Sequence, residues 1–440
     1  MRFTLAAVAL SSLVGSVLSA PTASDLEARW EFEREIVQRG ASDRSLELLA
    51  QLQNTQAGPA PQSIEEALAS ITLVLQIGDG IYDLAVALIA AGFAPGDISS
   101  ILSTYSIGDN SPFNINLRSP QGDRIFPKKS PSDAPYSIPE IILRGAIRIP
   151  SSFTYGQKPP LLMVPGTGST GGISFGGNFR KLFKNVAYAD PVWLNIPGFL
   201  LNDAQENAEF VAYAINYISG ISQNKNVSVI AWSQGNLDAQ WAFKYWPSTR
   251  AITSDLISIS PDFHGTVTAL PSCPGYPTES CNPAIVQQDY NSNFITTLRS
   301  NGGDSAYVPT TTIYTNTDQV VQPQDGTGAS AYLLDARGVG VTNNQIQTVC
   351  PGLPPGVSYS HEGMLFNPVS HALAVDALTN PGPGQVSRIN MATECLKLAA
   401  DGLTTADIVA TEGNNIISVV AIIVYPAKVN AEPPIKAYAA

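Results

Sequence analysis

The chain has 440 residues, with 36 acidic against 24 basic side chains, a net charge of −12 and only 14% charged residues. An acidic chain with no basic run is not built to neutralise nucleic-acid phosphates or an anionic membrane surface, so neither is expected as a partner. Its length suits one large domain with an added segment, and its 33 prolines and 35 glycines point to a loop-rich globule.

Residues 1–20 have the form of a secretory signal: Arg2 as a short positive start, then an apolar run to Leu18 too short to span a bilayer. Cleavage is expected after Ala20 or Ser19. The four cysteines, Cys273, Cys281, Cys350 and Cys395, are then an even count in an exported protein, which predicts two disulfides. They have no CxxC spacing, and neither a metal site nor a cofactor is expected.

From 21 to about 52 the sequence is charged and helix-prone, and a Pro-Gly break follows at 58–61. Apolar helical segments are expected near 64–75 and 82–91, both shorter than a membrane span. The composition of 105–136 (Pro, Ser, Asn, Asp) reads as linker or loop, with Lys128-Lys129 as a dibasic processing signal inside it. Residues 21–129 are therefore a propeptide, a helical accessory or a cap, and the residues alone do not choose among these.

The remainder, 130–440, alternates strand-like and helix-like stretches. Strands are expected at 141–149, 161–165, 192–196, 227–232, 256–260 and 310–315, with helices between several of them, notably at 204–218. This is the pattern of an α/β fold, a mostly parallel sheet flanked by helices, whose functional residues gather beyond the carboxyl ends of the strands. The apolar run 416–425 near the C-terminus is too short to cross a bilayer. Asn226-Val227-Ser228 is an N-glycosylation sequon.

The organising stretch is V-S-V-I-A-W-S-Q-G-N-L-D-A-Q-W at 227–241, a buried strand, a sharp turn and a helix. Ser233 stands in the turn, as in a nucleophile elbow, where a hydroxyl is lifted clear of the backbone for a base to activate. Gly235 gives the helix room to start, and the N–H of Gln234 is aimed at an oxyanion. Ala231 replaces the first glycine of G-x-S-x-G. Three further sites lie past strand ends. The turn G-T-G-S-T-G at 166–171 lacks the lysine of a P-loop, and Thr167 can offer an N–H and a hydroxyl to an oxyanion. Asp318, after T-T-T-I-Y, can accept a histidine N–H and fix its tautomer. Of the three histidines, His264 precedes Asp318 and so breaks the order Ser…Asp…His, and His371 lies in a helical pattern. His361, in Y-S-H-E-G-M-L after a Pro-rich loop, has the order and the setting of the base.

The segments V-P-G-T-G-S-T-G, L-L-N-D-A-Q, A-W-S-Q-G, S-P-D-F-H-G-T-V, P-T-T-T-I-Y-T-N-T-D-Q-V-V-Q-P-Q and S-H-E-G-M-L resemble the fungal lipase family of Candida antarctica lipase B. The resemblance covers roughly 130–440, and that family also lacks the first glycine of the elbow. It implies an α/β-hydrolase fold and ester hydrolysis through an acyl-enzyme, with Ser233 as nucleophile, Asp318 as orienter, His361 as base, and Thr167 and Gln234 as oxyanion donors. It implies Trp232 as the floor of the alcohol pocket, Asp262 and Gln288 on the acyl side, and a Cys350–Cys395 disulfide. Cys273 and Cys281 have no family counterpart and fall where the family carries a mobile lid helix; their local pairing would pin it. The extension before Lys129 is likewise not a family feature on this reading. A lipophilic ester is the expected partner and a monomer the expected state. Alternatives are a carboxylesterase or polyesterase on non-lipid esters, or a catalytically silent hydrolase-fold binding protein.

Overall fold

The computed structural model describes residues 43–77, 80–94 and 107–440. The expected signal at 1–20 and the charged stretch up to residue 42 lie outside the described residues.

Three helices open the described chain: α1 Asp43–Asn54, α2 Ile64–Ile77 and α3 Ile81–Ala90. The last two are the apolar segments expected from the sequence. Their buried faces, with Leu52, Ile71 and Leu88, join one core cluster with residues of the main domain. A long apolar face needs a partner, and here the partner is the C-terminal end of the chain.

A seven-stranded sheet carries the rest, in the order β1-β3-β2-β4-β5-β6-β7. The strands are β1 Ile147–Arg148, β2 Pro160–Val164, β3 Asp190–Leu194, β4 Val227–Trp232, β5 Thr253–Ile259, β6 Thr310–Tyr314 and β7 Val341–Gln345. All pairings are parallel except β1 against β3. Strands β2 and β4 are buried throughout, as continuous apolar runs in a sheet covered on both faces require.

Two expectations need correction. The strand placed at 141–149 is a short helix, Glu140–Gly145, followed by the two residues of β1. Pro139 at its N-cap and an i,i+4 pair from Arg144 to Glu140 at 2.7 Å favour the helix, and Ile141, 80% exposed, is not a core strand residue. Conversely β7, V-T-N-N-Q, is a polar edge strand with no apolar alternation to announce it.

Helix α4, Ala204–Ile221, starts at Asp203, whose carboxylate accepts the N–H of Gln205. It is buried on nearly every face, between the sheet, the helix that follows β4, and the segment expected as linker, which crosses it. Glu209 accepts from the N–H and hydroxyl of Ser137 at 2.7 and 2.5 Å, and the Tyr217 hydroxyl donates to the carbonyl of Arg118 at 2.7 Å. Lys129 of the dibasic pair donates to Asn216 Oδ1 at 2.9 Å. Residues 107–136 are a loop, as expected, but one tied to the core rather than a free tether.

Helix α5, Gly235–Tyr245, follows β4, and α6, Pro368–Thr379, lies near the C-terminal third. The chain ends with α7, Thr405–Glu412, and α8, Asn414–Val424. The run Thr405–Val424 is long and apolar enough by composition to cross a membrane, longer than the 416–425 stretch read from sequence. With 78% of its most apolar window buried, it reads as a core element packed against α1 and α3. Both disulfides form, Cys273–Cys281 and Cys350–Cys395, as the even count predicted. Asn226 of the sequon is exposed just before β4.

Candidate active site

Ser233 sits between β4 and α5 with φ 55°, the left-handed region that a non-glycine residue enters only when its surroundings enforce it. The enforcement is visible. Its N–H donates to the carbonyl of Ile259 at 3.1 Å, and Asn236 Nδ2 donates to the carbonyls of Ser233 and Ile259 at 3.0 and 3.2 Å. Gly235 is obligatory because a Cβ there would stand 2.5 Å from the carbonyl oxygen of Pro165; at Gly166 it would stand 2.8 Å from Ser233 Cβ. Ala231 fits fully buried within β4, so the missing first glycine costs the turn nothing.

Asp318 follows β6. Its Oδ1 accepts the N–H groups of Val320 and Val321 at 2.9 and 2.7 Å, which leaves Oδ2 for His361 Nδ1 at 2.8 Å. The His361 carbonyl accepts from Trp232 Nε1 and Ser260 Oγ at 3.3 and 3.2 Å, and its N–H donates to Gln319 Oε1 at 2.9 Å. Both members of the Asp318–His361 pair are 2% exposed. Burial alone would push the imidazole pKa down. The charge and hydrogen bond of Asp318, with Glu362 and Asp262 behind them, outweigh it and hold the group above its ordinary value. His361 Nε2 is buried with no hydrogen-bond partner, and no hydrogen bond joins it to Ser233 Oγ among the described residues. His361 and Ser233 line the same cavity.

Thr167 and Gln288 line that cavity too, with Gln234 behind them. Thr167 Oγ1 donates to Gln234 Oε1 at 2.6 Å, Gln288 Nε2 donates to the same oxygen at 3.1 Å, and Gln234 Nε2 donates to the Leu200 carbonyl at 3.0 Å. Gln234 is the N-cap of α5, a position whose own N–H has no intrahelical carbonyl to bond. Trp232 lies on the cavity wall, its ring 5.2 Å from the His361 ring. Asp262 does not reach the wall: it is fully buried, its carboxylate oxygens find no partner, and burial pushes it up to about 7.

The other histidines stay apart from this cluster. His371 packs against Phe183 with ring centroids 5.6 Å apart and planes tilted by 34°, and burial pushes it down to about 4. His264 is likewise pushed down to about 4 by burial. Sequence reading passed over Gln319 and Glu362, each the next residue after one of the paired groups, and Ile81 of α3, which lines the cavity from the N-terminal helices. Their adjacency in T-D-Q and S-H-E was the one available signal for the first two.

A mostly parallel sheet that turns sharply through a strained serine into a helix, with an aspartate–histidine pair delivered beyond a later strand, defines an α/β-hydrolase. No family model matches the chain. It is 34% identical to lipase B of Pseudozyma antarctica over 312 residues, 70% of this chain and 87% of that one. It superposes on the crystal structure of Aspergillus fumigatus lipase B with a TM-score of 0.80 and 45% identity, over 90% of this chain and 93% of that one. The chain belongs to the lipase B family, and it is a carboxylic ester hydrolase. The Aspergillus match leaves only a tenth of the chain uncovered, too little to contain all of 21–129. The N-terminal segment is thus shared in part with that relative, which corrects its reading as foreign to the family.

Proposed function

We propose that the chain is an exported lipase that cleaves lipophilic esters through an acyl-enzyme on Ser233. The observation that carries this is the buried Asp318–His361 hydrogen bond, which occupies Nδ1 and leaves Nε2 without a partner, in a residue that lines the same cavity as Ser233. Asp318 fixes the tautomer, so Nε2 is the acceptor that takes the serine proton as Oγ attacks the ester carbonyl. The imidazolium then protonates the leaving alcohol, and water repeats the sequence on the acyl-enzyme. Ser233 Oγ donates to Nε2 in the complex with substrate, where catalytic hydrogen bonds tighten. Thr167 and the Gln234 N–H receive the oxyanion.

Apolar walls from Ile285, Val320, Val419 and Ile422 favour a lipophilic acyl or alcohol chain, with Trp232 and Gln288 shaping either side. Residues 1–20 serve as the export signal, 130–440 carry the chemistry, and the helices within 21–129 remain as a cap, since Ile81 supplies part of the cavity and Lys129 is engaged with Asn216. Two disulfides are in keeping with export.

Ser233→Ala should abolish hydrolysis of a p-nitrophenyl ester with an unchanged melting temperature, and a serine-directed phosphonate should label Ser233 in the native enzyme. A variant that turns over at the native rate would refute the assignment. Faster turnover of long-chain emulsions than of short dispersed esters separates a lipase from a carboxylesterase.

A further inference from the structure

Asp318 does not act alone on the loop that carries His361. Three consecutive residues after β6 grip the opposing segment. Thr317 Oγ1 donates to the Tyr359 carbonyl at 2.8 Å and accepts the Tyr359 N–H at 3.1 Å. Asp318 holds His361 Nδ1. Gln319 then spans two residues at once, its Oε1 accepting the His361 N–H at 2.9 Å and its Nε2 donating to Glu362 Oε2 at 2.9 Å. Side chains here do the work of a backbone ladder, and they do it on both flanks of the imidazole.

Glu362 is 3% exposed and shares the cavity with His361. The charged and titratable groups that face it are His361, Asp318 and Glu412. Those that face His361 are Asp318, Glu362 and Asp262. The cluster holds several carboxyls and one cationic group, so not all the carboxyls can be ionised together. Of the two glutamates, Glu412 is the one suited to keep a proton. It is fully buried, its Oε1 accepts only from Ser360 Oγ at 2.6 Å, and its Oε2 has no partner. Burial, then the neighbouring Glu362, pushes it well up. Glu362 is also raised by burial, but it accepts an N–H and faces the imidazole, which favours its charged form.

We propose that Gln319 and Glu362 are positioning residues for ester hydrolysis: Gln319 aligns the imidazole through its main chain, and the Glu362 carboxylate steadies the positive charge His361 acquires on taking the serine proton. This rests on the reading of His361 as the base. The effect belongs to the transition state, because the positive charge forms only as Ser233 is deprotonated.

The test is the pH dependence of kcat and KM for the full chain on a short soluble p-nitrophenyl ester. Glu362→Gln should move the acid limb of kcat/KM down by about half a pH unit or more, and should lower plateau kcat several-fold with KM nearly unchanged. Glu412→Gln, which mimics a protonated carboxyl, should leave the limb in place. If Glu362→Gln does not fold, Gln319→Met removes both hydrogen-bonding groups at similar volume and should reduce kcat without raising KM. Unmoved limbs in Glu362→Gln, or a loss confined to melting temperature in either variant, would overturn the proposal. Ser233→Ala measured beside them keeps the two readings apart, since its silence shows the serine assignment standing whatever the limb does.

Discussion

Replacing Asp318 by asparagine changes one oxygen for a nitrogen, and the surroundings dictate which way the new amide faces. The Val320 and Val321 N–H groups, at 2.9 and 2.7 Å, both need an acceptor, so the amide oxygen must stay at the Oδ1 position. The NH2 group then occupies the place of Oδ2, 2.8 Å from His361 Nδ1. A donor there forces Nδ1 to become the acceptor and moves the imidazole proton to Nε2. The nitrogen facing the cavity would then donate where the chemistry needs it to accept. A wrong tautomer in a serine triad costs about 10⁴ in rate, equivalent to about 5 kcal/mol of barrier. The measurement is kcat on a soluble ester at a pH well above the His361 titration, with melting temperature as the control for folding. A variant keeping more than about a tenth of the native rate would show that Asp318 does not set the tautomer.

Other consequences are open to measurement. Activity should rise with pH through a value above the ordinary 6.5 of histidine, because Asp318 keeps His361 charged and unable to act as base below it. Stability should move the other way between pH 8 and 6.5. Asp255 and Asp262 are pushed from 3.8 to about 7 by burial, so the fold loses stability as pH rises toward 7, and His361 adds a contribution lost as pH climbs through its raised value. The buried neutral His264 and His371 oppose this as pH falls toward 6.5 and below, and Lys244 and Lys428, pushed down to about 8 by burial, oppose it near pH 8, while Asp238 and Glu412, pushed well up by burial, reinforce it. A melting temperature higher at pH 8 than at 6.5 would contradict the balance. Removing Cys350–Cys395, separated by 45 residues, should cost roughly 4 kcal/mol on the chain-entropy account, against roughly 2.5 for Cys273–Cys281, separated by 8; paired alanine variants compared in denaturant give the order. Leu88→Ala, at a site 2% exposed in the shared core, should cost about 2–5 kcal/mol and still give one unfolding transition. Two separate transitions would mean the N-terminal helices fold on their own.

The chemistry-bearing strands were readable because they are short apolar runs followed by turn residues, and the sheet places every such end on one edge. Ser233, Asp318 and His361 could be proposed from chain order for that reason. The errors have a different origin. The Ile141-Ile142 pair suggested a strand where the structure has a helix: the Pro139 carbonyl accepts the N–H groups of Ile142 and Leu143, and these bonds with the Glu140–Arg144 pair outweigh β-branching in a segment with one exposed face. The β7 strand is held by pairing with β6 and has no periodicity of its own. The packed loop at 107–136 reads as linker because its ties are long-range side-chain bonds such as Tyr217 to Arg118, which no local window contains. Asp262 matched a pocket position by motif, yet a motif fixes a place along the chain and not how far a side chain reaches.

Helix α8 has two masters. Asn415, Ser418, Val419 and Ile422 form the stripe turned to the cavity, while the helix as a whole is clasped by α1 and α3. A small tilt of α8 is therefore felt in both places, and a residue such as Leu52 or Leu84, which never meets an ester, governs how the wall beside it is set. Substrate preference in this enzyme would consequently be open to tuning by repacking its amino-terminal helices alone.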